Sequence, residues 1–231
     1  AVDQHVFAKL KMLNILPSDL CLDYEFLRRA SLDLCGILPN PEQTRAFLAD
    51  TDPAKRDKLI DALVERPEFA DFWTHKWLDV LRSNRLTIQI RGSHKYQFWL
   101  RNHIAHNTPW NEVVRELLTA SGSTFLNPPA NYFRGTYNFG EPTVREPNNI
   151  AESTSQIFLG IRLQCAQCHN HPFERWTQDD YLQMVAWFKR LQAKQDPLEL
   201  GGPRPNYSWQ LRENALVIFS KRDGEVISPQ T

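Results

Sequence analysis

The chain has 231 residues, with 27 Lys+Arg against 27 Asp+Glu, and is 42% hydrophobic and 11% aromatic. That describes a folded protein with one large or two small cores, and the balanced charge excludes the broad basic surface of a nucleic-acid or anionic-membrane binder. No apolar run is long enough to span a bilayer, and no basic stretch followed by an apolar one opens the chain, so no signal peptide is expected within it.

Helical signals follow one another along most of the sequence. Val2–Leu13 places Val6, Leu10 and Leu13 at helical spacing, with Met12 assigned to the core, and Pro17 ends the run. Asp23 is a cap candidate for a helix through Phe26, Leu27, Ala30 and Leu34, which stops at Gly36. Asn40-Pro41-Glu42 sets an N-cap followed by proline in the first turn, opening a helix to Leu48, and Asp52-Pro53 repeats the device for Leu59, Ile60, Leu63 and Val64. Pro67–Leu81 carries Phe69, Phe72, Trp73, Trp77 and Val80, read as a broad core-facing aromatic stripe. Leu86–Arg91 alternates apolar and polar residues, the period of a half-buried strand. Helices are again expected over Tyr96–Ile104 and from Thr108-Pro109-Trp110 to near Gly122.

Residues 123–148 hold Asn127-Pro128-Pro129, Gly135, Gly140, Pro142 and Pro147, which predicts a long irregular loop of the kind that carries function or moves. Ile150–Leu163 leads to Cys165, and Thr177 caps a helix with Asp179 and Asp180 in its first turn. The tail has Pro197, Gly201-Gly202-Pro203 and Pro205, then a strand candidate at Ala215–Phe219. The expected fold class is therefore all-α, an irregular multi-helix domain with a long Pro/Gly-rich loop and at most short isolated strands. Residues 1–192 form the helical domain, and 193–231 form a connector or the start of a following domain.

Of the four cysteines, Cys21 and Cys35 flank one predicted helix. Their separation of roughly 20 Å along its axis, at about 1.5 Å per residue, forbids a disulfide. Cys35 is expected to be a buried thiol and Cys21 a free or partly buried one. The other two lie in Cys165-Ala166-Gln167-Cys168-His169, a CxxCH run. Two thiols at this spacing can each add to a vinyl group of one porphyrin, and the adjacent imidazole can ligate the iron. With this Cys and His content the chance expectation for such a run is about 0.002 per chain, which makes accident a weak competitor.

Three chemistries fit the motif: covalent haem, a zinc site, and a thioredoxin-like redox pair. Zinc uses thiolates and imidazoles, but Cys165, Cys168, His169 and His171 lie on seven residues, too few to wrap all four ligands, and no second CxxC supplies more. The redox pair needs a strand–motif–helix setting that helical surroundings do not provide. Under the haem reading Cys165 and Cys168 are the anchors and His169 the iron ligand. His171 either fixes the Pro172 turn by hydrogen bonds or acts at the haem edge or in a second metal contact. Arg175 and Arg162 flank the motif and could pair with propionates, as forked donors do with carboxylates. Trp176 and Tyr181 pack on porphyrin or core. For the opposite axial position the candidates are Met184, which also fits a core stripe, and His75, which also fits a buried and satisfied histidine; His94, His103 and His106 read as exposed.

Phe26-Leu27-Arg28-Arg29, Leu32-Asp33-Leu34, Phe47-Leu48-Ala49-Asp50, Trp77-Leu78-Asp79, Leu117-Leu118-Thr119-Ala120-Ser121-Gly122 and Phe158-Leu159-Gly160 lead up to a long specific run. That run is Cys165-Ala166-Gln167-Cys168-His169-Asn170-His171-Pro172-Phe173-Glu174, continuing through Trp176-Thr177-Gln178-Asp179-Asp180-Tyr181. On these residues the chain resembles the domain of unknown function that accompanies planctomycete-type cytochrome c domains, over roughly residues 1–192. The resemblance implies a periplasmic or cell-envelope setting, neighbouring domains in a larger chain and a haem c role, with His171 and Pro172 matched as firmly as the CxxCH. It implies no activity.

The motif comes late in the chain, unlike its place in small class I cytochromes c, so a different helical fold is expected. The expected function is electron transfer by an exported c-type haem protein that serves a redox partner. The alternatives are a peroxidase-like haem enzyme with an open sixth position and a non-haem interaction module with a Cys/His zinc site. No contact with nucleic acid and no membrane span are expected.

Overall fold

A computed structural model describes residues 2–134, 145–195 and 216–220 of the chain. Gly135, Gly140 and Pro142 of the predicted loop, and Pro197 to Pro205 of the tail, lie outside the described residues. The chain forms a mostly helical, irregular fold in two compact units, Ala1–Phe69 and Ala70–Thr231.

The first unit holds α1 (Val2–Met12), α2 (Asp23–Cys35), α3 (Pro41–Ala49) and α4 (Lys55–Val64). Its small core gathers Leu27, Cys35, Phe47 and Leu63. Asn40 caps α3, its Oδ1 accepting from the Gln43 amide at 2.8 Å while Gln43 Oε1 accepts from the Asn40 amide at 2.9 Å. Gly36 ends α2 at φ 70°, a left-handed conformation in which its N–H reaches the Leu32 carbonyl at 3.0 Å. Arg56 joins α4 to α2 through Asp23, at 2.9 Å from Nε and 2.7 Å from Nη2, and lies over the Phe26 ring. Lys55 adds a second cation, and the two hold the Asp23 carboxyl below its ordinary value. Both expectations for Cys35 and Cys21 hold, the first being a buried free thiol and the second a half-buried one. The placement of Met12 in a core is corrected: α1 buries none of its residues, and Met12 is 64% exposed.

The second unit begins its buried stripe in α5 (Pro67–Val80), where Ala70, Thr74 and Leu78 recur every fourth residue. The aromatic residues predicted to form that stripe flank it half-buried, and Val80 is exposed. Residues 86–91 are not a strand. They belong to α6 (Arg85–Ala105), which is broken at Gln89 with φ 65° and ψ 169°. At the break, buried Arg134 donates from Nη1 to the Ile88 carbonyl at 2.9 Å. Helix α7 (Trp110–Thr119) is followed by a 3-10 turn at Pro128–Phe133, which is buried from Pro129 onward.

Helix α8 (Pro147–Thr154) runs into one wide turn, Ser155–Leu159, ended by Gly160 at φ 69°. A second 3-10 helix, Leu163–Gln167, then leads to α9 (Gln178–Ala186). The core gathers Tyr96, Leu100, Leu117, Phe133, Ile150 and Tyr181. The strands form one small antiparallel sheet in the order β1–β3–β2, from β1 (Gly122–Ser123), β2 (Leu191–Gln195) and β3 (Leu216–Ser220). Ile218 of β3 stands opposite Gly122 on one side and Ala193 on the other, and is fully buried.

Candidate functional site

A 3-10 helix, Leu163–Gln167, carries the first three residues of the CxxCH run, and Cys168 is its C-cap. With three residues per turn, side chains three apart eclipse one another. Leu163 and Ala166 share the buried face, and Cys165 and the next turn's Cys168 are both exposed. The apolar pair anchors the helix while both thiols, free in the structure, face solvent.

His169 is exposed, and its Nδ1 lies 2.7 Å from the Asn170 carbonyl oxygen. A carbonyl only accepts, so Nδ1 carries the proton and the neutral ring keeps its lone pair on Nε2. That is how ligating histidines are oriented, by a second hydrogen bond from the other nitrogen. His171 is half-buried and its main-chain N–H donates to the Trp176 carbonyl at 2.8 Å. Its Nδ1 accepts from the amides of Phe173, at 3.3 Å, and Glu174, at 3.0 Å. These two bonds bridge the turn at Pro172.

Helix α9 is tied to the motif from the other side. Its Gln178 amide donates to Asn170 Oδ1 at 3.1 Å, and Gln178 Nε2 donates to the Gln167 carbonyl at 3.1 Å. Thr177 and Asp180 cap each other at the helix start, and the Thr177 amide and hydroxyl hold the Asp180 carboxyl below its usual value. Buried Tyr181 donates to Glu152 Oε1 at 3.0 Å, while Gln164, one residue before Cys165, donates to Oε2 at 3.2 Å. Burial, then the hydrogen bond to Glu152, pushes the Tyr181 phenol well up. Glu152 thus joins α8, α9 and the cysteine-bearing helix.

Arg175 is exposed with its guanidinium 4.8 Å over the Trp176 ring, and Trp176 packs against the core and donates to Glu174 at 2.9 Å. Met184 is half-buried against the core. His75 is exposed, correcting its reading as a buried histidine. The ring of His103 pairs with Glu116 at 3.1 Å, and that of His106 lies 2.8 Å from the Asn102 carbonyl.

The donor set suits covalent haem: two exposed thiols on consecutive turns, followed by an imidazole with its lone pair on Nε2. Among the described residues no group of three or more His, Cys, Asp or Glu side chains is arranged to hold a metal ion. Among the described residues, no helix is long and apolar enough to cross a membrane. The uncommitted Nε2 of His169 and the amide-accepting Nδ1 of His171 were not readable from residue types alone; the one available signal was Pro172, which marks a turn.

Residues 1–193 match the family PSCyt2, described as a protein of unknown function (DUF1549). No curated protein and no solved structure matches the chain.

Proposed function

We propose that this chain, which belongs to the PSCyt2 family, is a c-type haem domain that transfers electrons within a larger exported protein. The observation that carries the reading is the pairing of two exposed free thiols with an imidazole whose Nδ1 is committed to a carbonyl, so that Nε2 can ligate iron. Cys165 and Cys168 would hold the haem by thioether bonds, and His169 would ligate it. Arg175, exposed on the Trp176 ring, suits a propionate. When bound, the haem supplies one-electron exchange at its iron.

The chain's own residues hold and orient the group. Leu163 and Ala166 fix the helix that presents the thiols, Asn170 sets the tautomer and orientation of His169, and Gln178 secures that segment to α9. Zinc is less well served, since it needs three or four convergent protein ligands and the described residues supply no such group. Covalent haem attachment takes place on the oxidising side of a membrane, so the setting is the periplasm or cell envelope, and the partner is a redox protein or a neighbouring domain of the same chain.

The test is a pyridine haemochrome spectrum with intact mass on protein exported from a host that matures c-type cytochromes. A gain of one haem, abolished in Cys165→Ala/Cys168→Ala, is the expected result. Six-coordinate low-spin iron fits electron transfer; high-spin iron that reacts rapidly with peroxide would replace it with a peroxidase-like enzyme. No haem, with zinc bound stoichiometrically, would replace it with an interaction module.

A further inference from the structure

We propose that His171 is a positioning residue that locks the turn after His169 and is not a metal ligand, an inference that rests on the haem reading above. The two imidazoles stand two residues apart and are set in opposite tautomers. Main-chain amides only donate, so the Phe173 and Glu174 N–H groups require an unprotonated Nδ1 on His171. In the neutral ring the proton is then on Nε2. A nitrogen that bears its proton offers no lone pair to a metal, and the lone pair on Nδ1 is already occupied by two amides. Ligation by His171 would therefore require breaking both hydrogen bonds. His169 is arranged the other way round, with Nδ1 donating and Nε2 available.

What the His171 ring holds is a closed loop. The His171 amide bonds to the Trp176 carbonyl, and Trp176 Nε1 donates to Glu174. Pro172 restricts the loop further by fixing its own φ. The locked loop carries Phe173, whose side chain is 92% exposed beside the motif. His171 thus acts through the loop, and the sixth position is left to a group outside residues 165–176 or to an exogenous ligand.

Intact mass of the exported wild-type chain decides the haem reading first. On loaded protein, His171→Asn and His171→Ala are then compared by electron paramagnetic resonance, visible spectrum and amide hydrogen exchange. Asparagine puts Oδ1 where Nδ1 stands, keeping the acceptor while removing the imidazole. His171→Asn is expected to retain the wild-type spectra and the protection of the Phe173 and Glu174 amides. His171→Ala is expected to keep the axial-ligand signature and lose that protection on the order of tenfold. A changed spin state or g-values in both variants would make His171 a ligand and overturn the inference, as would unchanged protection in His171→Ala. If the wild type gains no haem, the haem reading fails, and long-range proton–nitrogen correlations of the imidazole still decide this one: a proton on Nε2 upholds it and a proton on Nδ1 overturns it.

Discussion

Thr177 and Asp180 close on each other where α9 begins, the Thr177 amide reaching Asp180 Oδ2 at 2.8 Å and the Asp180 amide reaching Thr177 Oγ1 at 3.2 Å. Removing the hydroxyl in Thr177→Ala is expected to cost about 1 kcal/mol at neutral pH. The folded carboxyl of Asp180 titrates below its ordinary value near 3.8. Its contribution is therefore complete above that value and is lost as pH falls through the lowered one. Asp180→Asn should lower the urea midpoint at pH 7, and the gap to wild type should narrow progressively as pH falls below 3.8; a gap that keeps its full size to the acid limit of the fold would show that the charge contributes nothing. At this scale the sequence was most readable where chemistry sits in consecutive residues. Cys165, Cys168 and His169 announce themselves by type and spacing. The hydrogen bonds of the His171 ring did not, because they depend on which backbone amides the fold turns toward it, and those amides belong to residues of any type.

Helices were readable where caps are local. Asn40-Pro41, Gly36 and Thr177 each mark a boundary that the structure keeps, since a cap involves only residues within a turn. Residues 86–91 misled because six alternating positions do not separate a strand from one turn of helix, and the decisive feature, the left-handed Gln89, leaves no mark in residue type. Just beyond that break lies Gly92, where a Cβ would stand 2.9 Å from Ile88 Cγ2 and 3.2 Å from Asn131 Oδ1. Alanine ordinarily improves a helix by about 0.5–1 kcal/mol over glycine. Here both neighbours are buried side chains with the core packed behind them, so Gly92→Ala should instead destabilise by about 1–3 kcal/mol. Denaturant midpoints measure the sign directly, and a gain in stability would mean that the Ile88 contact relaxes freely.

In the whole chain, what escaped sequence reading was the sheet. β1 is two residues long, and its partner lies far along the sequence, so no local pattern connects Gly122 to Ile218. The strand expected at Ala215–Phe219 exists as β3, and it stands between β1 and β2 rather than alone. Because Ile218 is fully buried in the second unit's core, Ile218→Ala should cost that unit about 2–5 kcal/mol. An unfolding curve like wild type's would show that β3 adds pairing without packing. The central position of β3 also sets an order of events during synthesis. The ribosome delivers Cys165, Cys168 and His169 before Leu216–Ser220, so the motif emerges while the slot between β1 and β2 still lacks its middle strand. Long-range pairing of this kind is slow to form. A chain interrupted before Leu216 would therefore carry Cys165 and Cys168 but lack the strand that joins β1 to β2.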